Sequence, residues 1–139
     1  MSSNDNKAHW EKLVDERFAL GYNKLTSDER LWYNIQALIL ATRNRGLFGL
    51  YYNSNVSIQD TIDDLKSLNS NVAVILEDFN KIFPDSNPPD DTDERNKILD
   101  SLDKQVLGDS LKKADSRLTD NLEELEKKLR DFIIKNRIV

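Results

Sequence analysis

The most informative stretch of the sequence is TSDERLWYNIQALILATR, residues 26–43. It begins with a capping box, in which the Thr26 hydroxyl accepts a free backbone N–H and the Glu29 side chain reaches back to the backbone of Thr26. Apolar residues then recur at helical spacing and also spread well around the rest of the helix. Because a helix that is apolar on most sides is usually buried, this stretch predicts the central helix of an α-helical bundle.

Helical periodicity continues on both sides of this central helix. Upstream, residues 7–20 form an amphipathic segment that Gly21 is expected to end. Downstream, the apolar spacing predicts two helices over residues 57–68 and 72–83, the second ended by Pro84. The segment between the central helix and residue 57 loses helical period and contains two glycines, so we expect a loop there.

The last part of the chain predicts two more helices. An acidic, proline-rich loop near residues 84–91 comes first, and Thr92 is expected to cap a fifth helix that stops at Gly108. This helix turns four apolar residues inward, namely Ile98, Leu99, Leu102 and Val106. The sixth helix begins near Thr119, and its apolar seam consists of Leu118, Leu122, Leu125, Leu129 and Phe132. Its outer face carries acids four residues ahead of bases, in the pairs Glu123–Lys127, Glu124–Lys128 and Glu126–Arg130.

These segments predict an all-α fold. We expect one domain over residues 1–139, built as a bundle of about six helices with a loosely ordered N-terminal end. The seam of the sixth helix could pack within the bundle or between two copies, since its length fits either arrangement. The predicted core consists of Trp32, Ile35, Leu38, Ile39, Ile75, Leu76 and Phe79.

Composition narrows the functional classes. The 139 residues include no Cys, which excludes disulfides, thiolate nucleophiles and zinc–thiolate sites. The N-terminal residues lack the apolar core of a signal peptide, and no apolar run approaches the length of a membrane span. We therefore expect a cytoplasmic protein that does not bind membranes.

The charge of the chain is unevenly distributed. The net charge is −5 overall, but residues 57–109 contain 13 acids and 5 bases, a net charge of −8. Residues 1–56 carry +1 and residues 110–139 carry +2. An acidic protein of this kind repels phosphates, so direct binding to nucleic acid is not expected. Taken alone, such a segment is typical of a solvated surface that keeps a protein soluble.

Few residues indicate catalysis or metal binding. His9 is the only histidine, and no partner residues for a catalytic triad accompany it. The acids of residues 85–94 do not form a calcium loop, because no Gly lies among them and neither Asp85 nor Asp91 has a Glu at the twelfth position. We expect no cofactor, no metal ion and no enzymatic activity. The loop Asn44–Ser54 remains the alternative place for an enzyme site, although its glycines and apolar residues equally suit a structural turn.

Several of these motifs together resemble a known family. They are Leu25-Thr26-x-x-Glu29-Arg30, the block from Asn44-x-Gly46-Leu47 to Tyr51-Tyr52-Asn53-Ser54, and the amphipathic helix pair that ends in Phe83-Pro84. The similarity covers roughly Leu25 to Asp109, with a weaker likeness in the last helix. The family that these motifs resemble is a bacterial domain-of-unknown-function family. The few members that have been characterised are described as DNA-mimic proteins. In this chain Arg45 stands where the family usually has a Gly, and Gly49 where a Gln is common.

The resemblance implies an all-α fold, a homodimer and an acidic surface presented to a basic DNA-binding protein. Together with the charge distribution, it favours a non-enzymatic binding protein, and the resemblance implies a DNA mimic that sequesters a DNA-binding protein or transcription factor. The alternative partner is a basic toxin, which the same surface would neutralise if the chain were an immunity-type inhibitor. The candidate partner-binding acids are Asp60, Asp63, Asp64, Glu77, Asp78, Asp85, Asp90, Asp91, Asp93, Glu94, Asp100 and Asp103.

Overall fold

The structure is a computed structural model, and it describes residues 21–52 and 56–136. Within these ranges the fold is all-α, with six α-helices, no strand and one core. The helices are α1 Ser27–Asn44, α2 Leu47–Tyr51, α3 Ile58–Leu68, α4 Ser70–Phe79, α5 Thr92–Ser101 and α6 Lys104–Asn136. Short 3-10 turns occupy Tyr22–Lys24, Asn80–Ile82 and Pro84–Ser86. The predicted helix at residues 7–20 and His9 lie outside the described residues.

The predicted capping box opens α1. The backbone N–H of Glu29 donates to Thr26 Oγ1 at 3.1 Å, and the backbone N–H of Thr26 donates to Glu29 Oε1 at 2.9 Å. These two hydrogen bonds satisfy donors that would otherwise be left free at the start of the helix. The helix then runs to Asn44, close to the predicted end.

The core forms where α1, α3, α4 and α6 meet. All seven predicted core residues are buried, with at most 3 % of each exposed, so this prediction is confirmed. Ser57 caps α3, since its Oγ accepts the backbone N–H of Asp60 at 3.2 Å. The α-helical part of α4 ends at Phe79, four residues before the predicted end, and the Asn80–Ile82 turn continues from it.

The last two helices differ from the prediction. The fifth helix ends at Ser101 rather than at Gly108, and α6 begins at Lys104 rather than near Thr119. Gly108 lies inside α6, where it is exposed and no heavy atom lies within 4 Å of the position of a Cβ. A helix tolerates an exposed glycine at a cost of about 1 kcal/mol, so glycine alone does not end a helix. Val106 was expected to point inward but is 54 % exposed.

The seam of α6 packs inside the bundle. Leu118, Leu125 and Leu129 are buried in the single chain, and Ile133 rather than Phe132 completes the buried stripe. Of the predicted surface pairs, Lys128 Nζ lies 3.2 Å from Glu124. No helix in the described residues combines the length and the apolar character needed to cross a bilayer.

Candidate acidic interaction surface

The most uniform charge on the described surface lies in residues 85–94, which we call the acidic segment. This segment contains five acids and no base, and each acid is exposed. Among the residues that the structure describes, no Lys or Arg nitrogen forms an ion pair with any of them. The five are Asp85, Asp90, Asp91, Asp93 and Glu94.

Local chain geometry fixes the shape of the acidic segment. Asp85 and Ser86 both have φ of 56°, a left-handed backbone that few non-glycine residues adopt. Two prolines follow, and Asp91 then caps α5 by accepting the backbone N–H of Glu94 at 2.9 Å. The predicted cap, Thr92, is instead the first helical residue, because the extended backbone stops one residue earlier at Asp91. Acids in this first turn also face the positive end of the helix dipole.

The space in front of these carboxylates is open. A shallow depression of about 420 Å³ is lined by Asp90, Asp91, Thr92 and Asp93. Among the residues described, no three acidic or histidine side chains converge in a way that would hold a metal ion. The depression therefore offers a carboxylate-lined surface rather than a deep pocket.

Arg95 directly follows the acidic segment in the sequence, but its side chain lies inside the protein. Its side chain is buried and donates to the backbone carbonyls of Tyr51 and Pro89 at 2.6 and 3.0 Å. Burial lowers the pKa of Arg95, and the nearby charges of Asp90 and Asp91 oppose that effect. A sequence signal for this position existed, because Arg95 precedes Ile98, Leu99 and Leu102 at the spacing of their inward stripe.

The acids of α5 continue beyond the acidic segment. Asp100 accepts the hydroxyl of Tyr52 at 3.2 Å, and this hydrogen bond raises the pKa of Tyr52. Asp103 caps α6 by accepting the backbone N–H groups of Gln105 and Val106 at 2.9 and 3.1 Å. The exposed Lys97 lies four residues after Asp93 and three before Asp100, so it shares their helix face and offsets part of their charge.

The acids of α3 form a second group. Asp60 and Asp63 are exposed, and Asp63 accepts the side-chain amide of Gln59 at 2.9 Å. Asp64 is partly buried and accepts the amide of the buried Asn34 at 2.8 Å. Burial raises the pKa of Asp64, and the Asp60 and Asp63 charges raise it further, against the lowering effect of the Asn34 hydrogen bond.

The two candidate acids on α4 are matched by bases. Glu77 lies 3.8 Å from Lys66, and Asp78 lies 2.9 Å from Arg117 and 3.3 Å from Lys81. Hydrogen bonds from Arg117 and Lys81 lower the pKa of Asp78. Acids and bases are therefore mixed on this face, in contrast to the acidic segment.

The loop predicted at Asn44–Ser54 contains the short helix α2, which the sequence pattern does not predict. Gly46 precedes it with φ of 74°, and a Cβ there would lie 2.7 Å from Asp115 Oδ2. The other oxygen of Asp115 accepts the backbone N–H of Leu47 at 2.7 Å and so caps α2 from a helix far along the chain. Gly46 thus allows both the turn and the close approach of this carboxylate. Asn53 and Ser54 lie outside the described residues.

The aromatic residues of α2 pack the helix into the bundle. The Tyr51 ring is buried and meets Phe79 edge to face at 4.9 Å, while its hydroxyl donates to Asn80. Burial raises the pKa of the Tyr51 hydroxyl. Phe48 and Tyr52 stack at 4.9 Å on the more exposed side. Arg43, near the end of α1, forms an ion pair with Glu126 of α6, whereas the sequence pattern predicted that Glu126 pairs with Arg130.

Comparison with known proteins gives one match. The sequence model of a family described as DMP19-like protein matches residues 23–136. Searches of curated proteins and of solved structures gave no significant match.

Proposed function

The chain belongs to the DMP19-like protein family, and we propose that it is a non-enzymatic protein whose acidic surface binds a basic DNA-binding protein in place of DNA. One observation carries this proposal. The acidic segment exposes five carboxylates that form no ion pair among the described residues, on a part of the chain that contains two prolines and the Asp91 cap of α5.

The physical basis is electrostatic. Duplex DNA carries about one negative charge per 1.7 Å of its axis, and proteins that bind it carry matching Lys and Arg side chains. Carboxylates one helical turn apart are about 5.4 Å from each other, which suits contact with successive basic side chains. Since a folded surface loses little conformational freedom on binding, charge complementarity contributes to both affinity and rate of association.

The contacts suggest which candidate acids form this surface. We propose that it comprises the acidic segment and continues along α5 to Asp100 and, past the end of that helix, to Asp103. The acids of α3, namely Asp60, Asp63 and Asp64, form a secondary group. Glu77 and Asp78 contribute least, because their bases already neutralise them. A partner would in addition have to tolerate Lys97 on the outer face of α5.

The family resemblance also leads us to propose a homodimer. The apolar seam of α6 is buried within the single chain, so another surface would have to form the dimer interface. Light scattering at micromolar concentration is expected to give twice the chain mass of 16.1 kDa, and a monomer mass would contradict the dimer.

A capture experiment with matched variants tests the acidic surface. Wild-type protein on a solid support is incubated with a bacterial lysate, and bound proteins are released with duplex DNA or with increasing salt. In the test variant Asp90, Asp91 and Asp93 become Asn and Glu94 becomes Gln, which preserves the helix cap because Asn also caps well. We expect capture to fall by about tenfold or more, because interactions between complementary charges are lost.

The control removes the same charge elsewhere. Asp109→Asn, Asp120→Asn, Glu123→Gln and Asp131→Asn neutralise four exposed acids of α6, so both variants change the net charge from −5 to −1. Equal capture by the test and control variants would contradict the proposal, as would capture that salt does not weaken. Release of a nuclease or another basic toxin, without competition by DNA, would instead support the immunity-type inhibitor.

A further inference from the structure

Arg95 joins the acidic segment to the core through main-chain contacts at two places. Its Nε donates to the carbonyl of Tyr51, the last residue of α2, at 2.6 Å. One terminal nitrogen donates to the carbonyls of Pro89 and Asp90, at 3.0 and 3.4 Å. A single buried guanidinium therefore connects α2, α5 and the middle of the acidic segment.

The anchor point of this contact is itself firmly held. Tyr51 is fully buried, its hydroxyl donates to Asn80, and its ring packs against Phe79 and Phe83 at 4.9 and 5.8 Å. Burying a guanidinium is costly unless its donors are satisfied. An apolar side chain on the inward stripe of α5 would avoid that cost but would leave the carbonyls of Tyr51, Pro89 and Asp90 without this donor. What an arginine adds at this position is therefore its hold on these carbonyls.

We propose that Arg95 is a positioning residue, which holds the backbone of the acidic segment in the one arrangement that presents its carboxylates to a basic partner. The expected effect on binding rests on the proposed function, whereas the effect of Arg95 on the order of the acidic segment can be measured without a partner. The five donors of a guanidinium suit this role, because they reach several carbonyls at once and a lysine has only one nitrogen.

The positioning role and simple electrostatics predict opposite changes in the affinity for a basic protein when Arg95 is replaced. Replacing Arg95 by Met removes a positive charge close to the acidic segment and changes the net charge from −5 to −6. If charge alone decided affinity, a basic protein would bind this variant more tightly. If Arg95 positions the carboxylates, the variant binds more weakly despite the added negative charge. Without Arg95 the acidic segment has to lose conformational freedom when the partner binds, and this lowers the affinity.

The test uses hydrogen exchange and one defined probe. Backbone amide exchange is measured in residues 91–95 for wild type, Arg95→Met, Arg95→Lys and Lys112→Met, the last of which makes the same charge change at an exposed site on α6. Affinity is measured for the globular domain of a linker histone, a folded basic DNA-binding domain. We expect Arg95→Met to exchange faster and to bind about tenfold more weakly, Arg95→Lys to fall between, and Lys112→Met to match or exceed wild type.

A second variant covers the case in which Arg95→Met does not fold. Pro88→Gly with Pro89→Gly keeps every charge and leaves Arg95 in place, while it loosens the chain that Arg95 holds. It is expected to bind the probe more weakly than wild type. Equal or tighter binding by Arg95→Met, or unchanged exchange in residues 91–95, would overturn the positioning role.

Failure of the two proposals can be distinguished. If wild-type protein does not bind the histone domain, that result counts against the proposed function, and the exchange rates alone then decide whether Arg95 holds the segment. If wild type binds and the Arg95 and proline variants bind equally well, the proposed function stands and the positioning role is wrong.

Discussion

On α4 and α6 several acids form ion pairs with bases, whereas none of the acids around the start of α5 does so among the described residues. On the first side Asp78 meets Arg117 and Lys81, and Glu124 meets Lys128. On the second side Arg95 is buried and donates to carbonyls, and the exposed Lys97 forms no ion pair with the acids of residues 85–94 among the described residues. The two sides share one core but differ in what their surface charges can do.

This difference separates acids that already form ion pairs with bases of the same chain from acids whose charge can interact with a partner. Exposed ion pairs contribute about 0–1 kcal/mol each and leave a nearly neutral surface. Several carboxylates on one short segment repel one another instead and add a negative potential in front of it. Net charge therefore does not identify a binding surface, and the contacts of each acid have to be examined.

The largest expected effect lies in the core. Leu38→Ala should lower the free energy of unfolding by roughly 2–5 kcal/mol, because Leu38 is fully buried in α1 and truncation leaves a cavity. Leu40→Ala, on the same helix but 40 % exposed, is the matched control and should cost less than about 1 kcal/mol. Urea denaturation followed by circular dichroism measures both, and equal losses would contradict the assigned core.

The turn between α1 and α2 gives the next largest effect. Gly46→Ala should cost about 1–3 kcal/mol, since alanine is strained at φ of 74° and its Cβ would displace the Asp115 carboxylate that caps α2. Gly108→Ala should instead stabilise the protein by about 0.5–1 kcal/mol, because that glycine lies in open space within α6. Thermal denaturation of the two variants should shift in opposite directions, and a shared direction would contradict the assigned backbone at one of them.

The smallest effect concerns the second acidic group, and it depends on pH. The pKa of Asp64 is raised above its ordinary value of 3.8, so the ionised side chain weakens the fold above that raised pKa. The penalty disappears as pH falls through the raised pKa toward 3.8. Asp64→Asn should therefore stabilise the protein by about 0.5 kcal/mol near pH 7, a value kept small because the side chain still reaches water. Urea denaturation from pH 4 to 7 should show the gain shrinking in acid, and a gain that is constant with pH would contradict this cause.

Local sequence signals predicted most of the fold. The capping box at Thr26 and the apolar periods of α1, α3 and α4 identified the helices and all seven core residues. These features depend on neighbours a few residues away, so a single sequence contains the necessary information. The same reasoning explains why Asp91 was missed as a cap by one residue, since Asp and Thr are both good caps.

Contacts between distant residues were not predictable in the same way. The cap on α2 comes from Asp115, which is 68 residues away from Leu47. The Arg43–Glu126 ion pair joins residues 83 apart. The acidic stretch was recognised from the sequence, but only tertiary contacts show that Glu77 and Asp78 are paired and that Arg95 lies inside. The sequence therefore indicated which acids are candidates, but it could not show which of them form ion pairs within the chain.

The position of α6 has a consequence for how the protein is made. Its buried stripe, from Ala114 to Ile133, closes the core against α1 and α4. While the ribosome is still synthesising α6, the apolar faces of α1 and α4 are not yet covered by this stripe and remain exposed to other nascent chains. We therefore expect the domain to complete folding only after synthesis has passed Ile133, and to depend until then on chaperones that shield apolar helices.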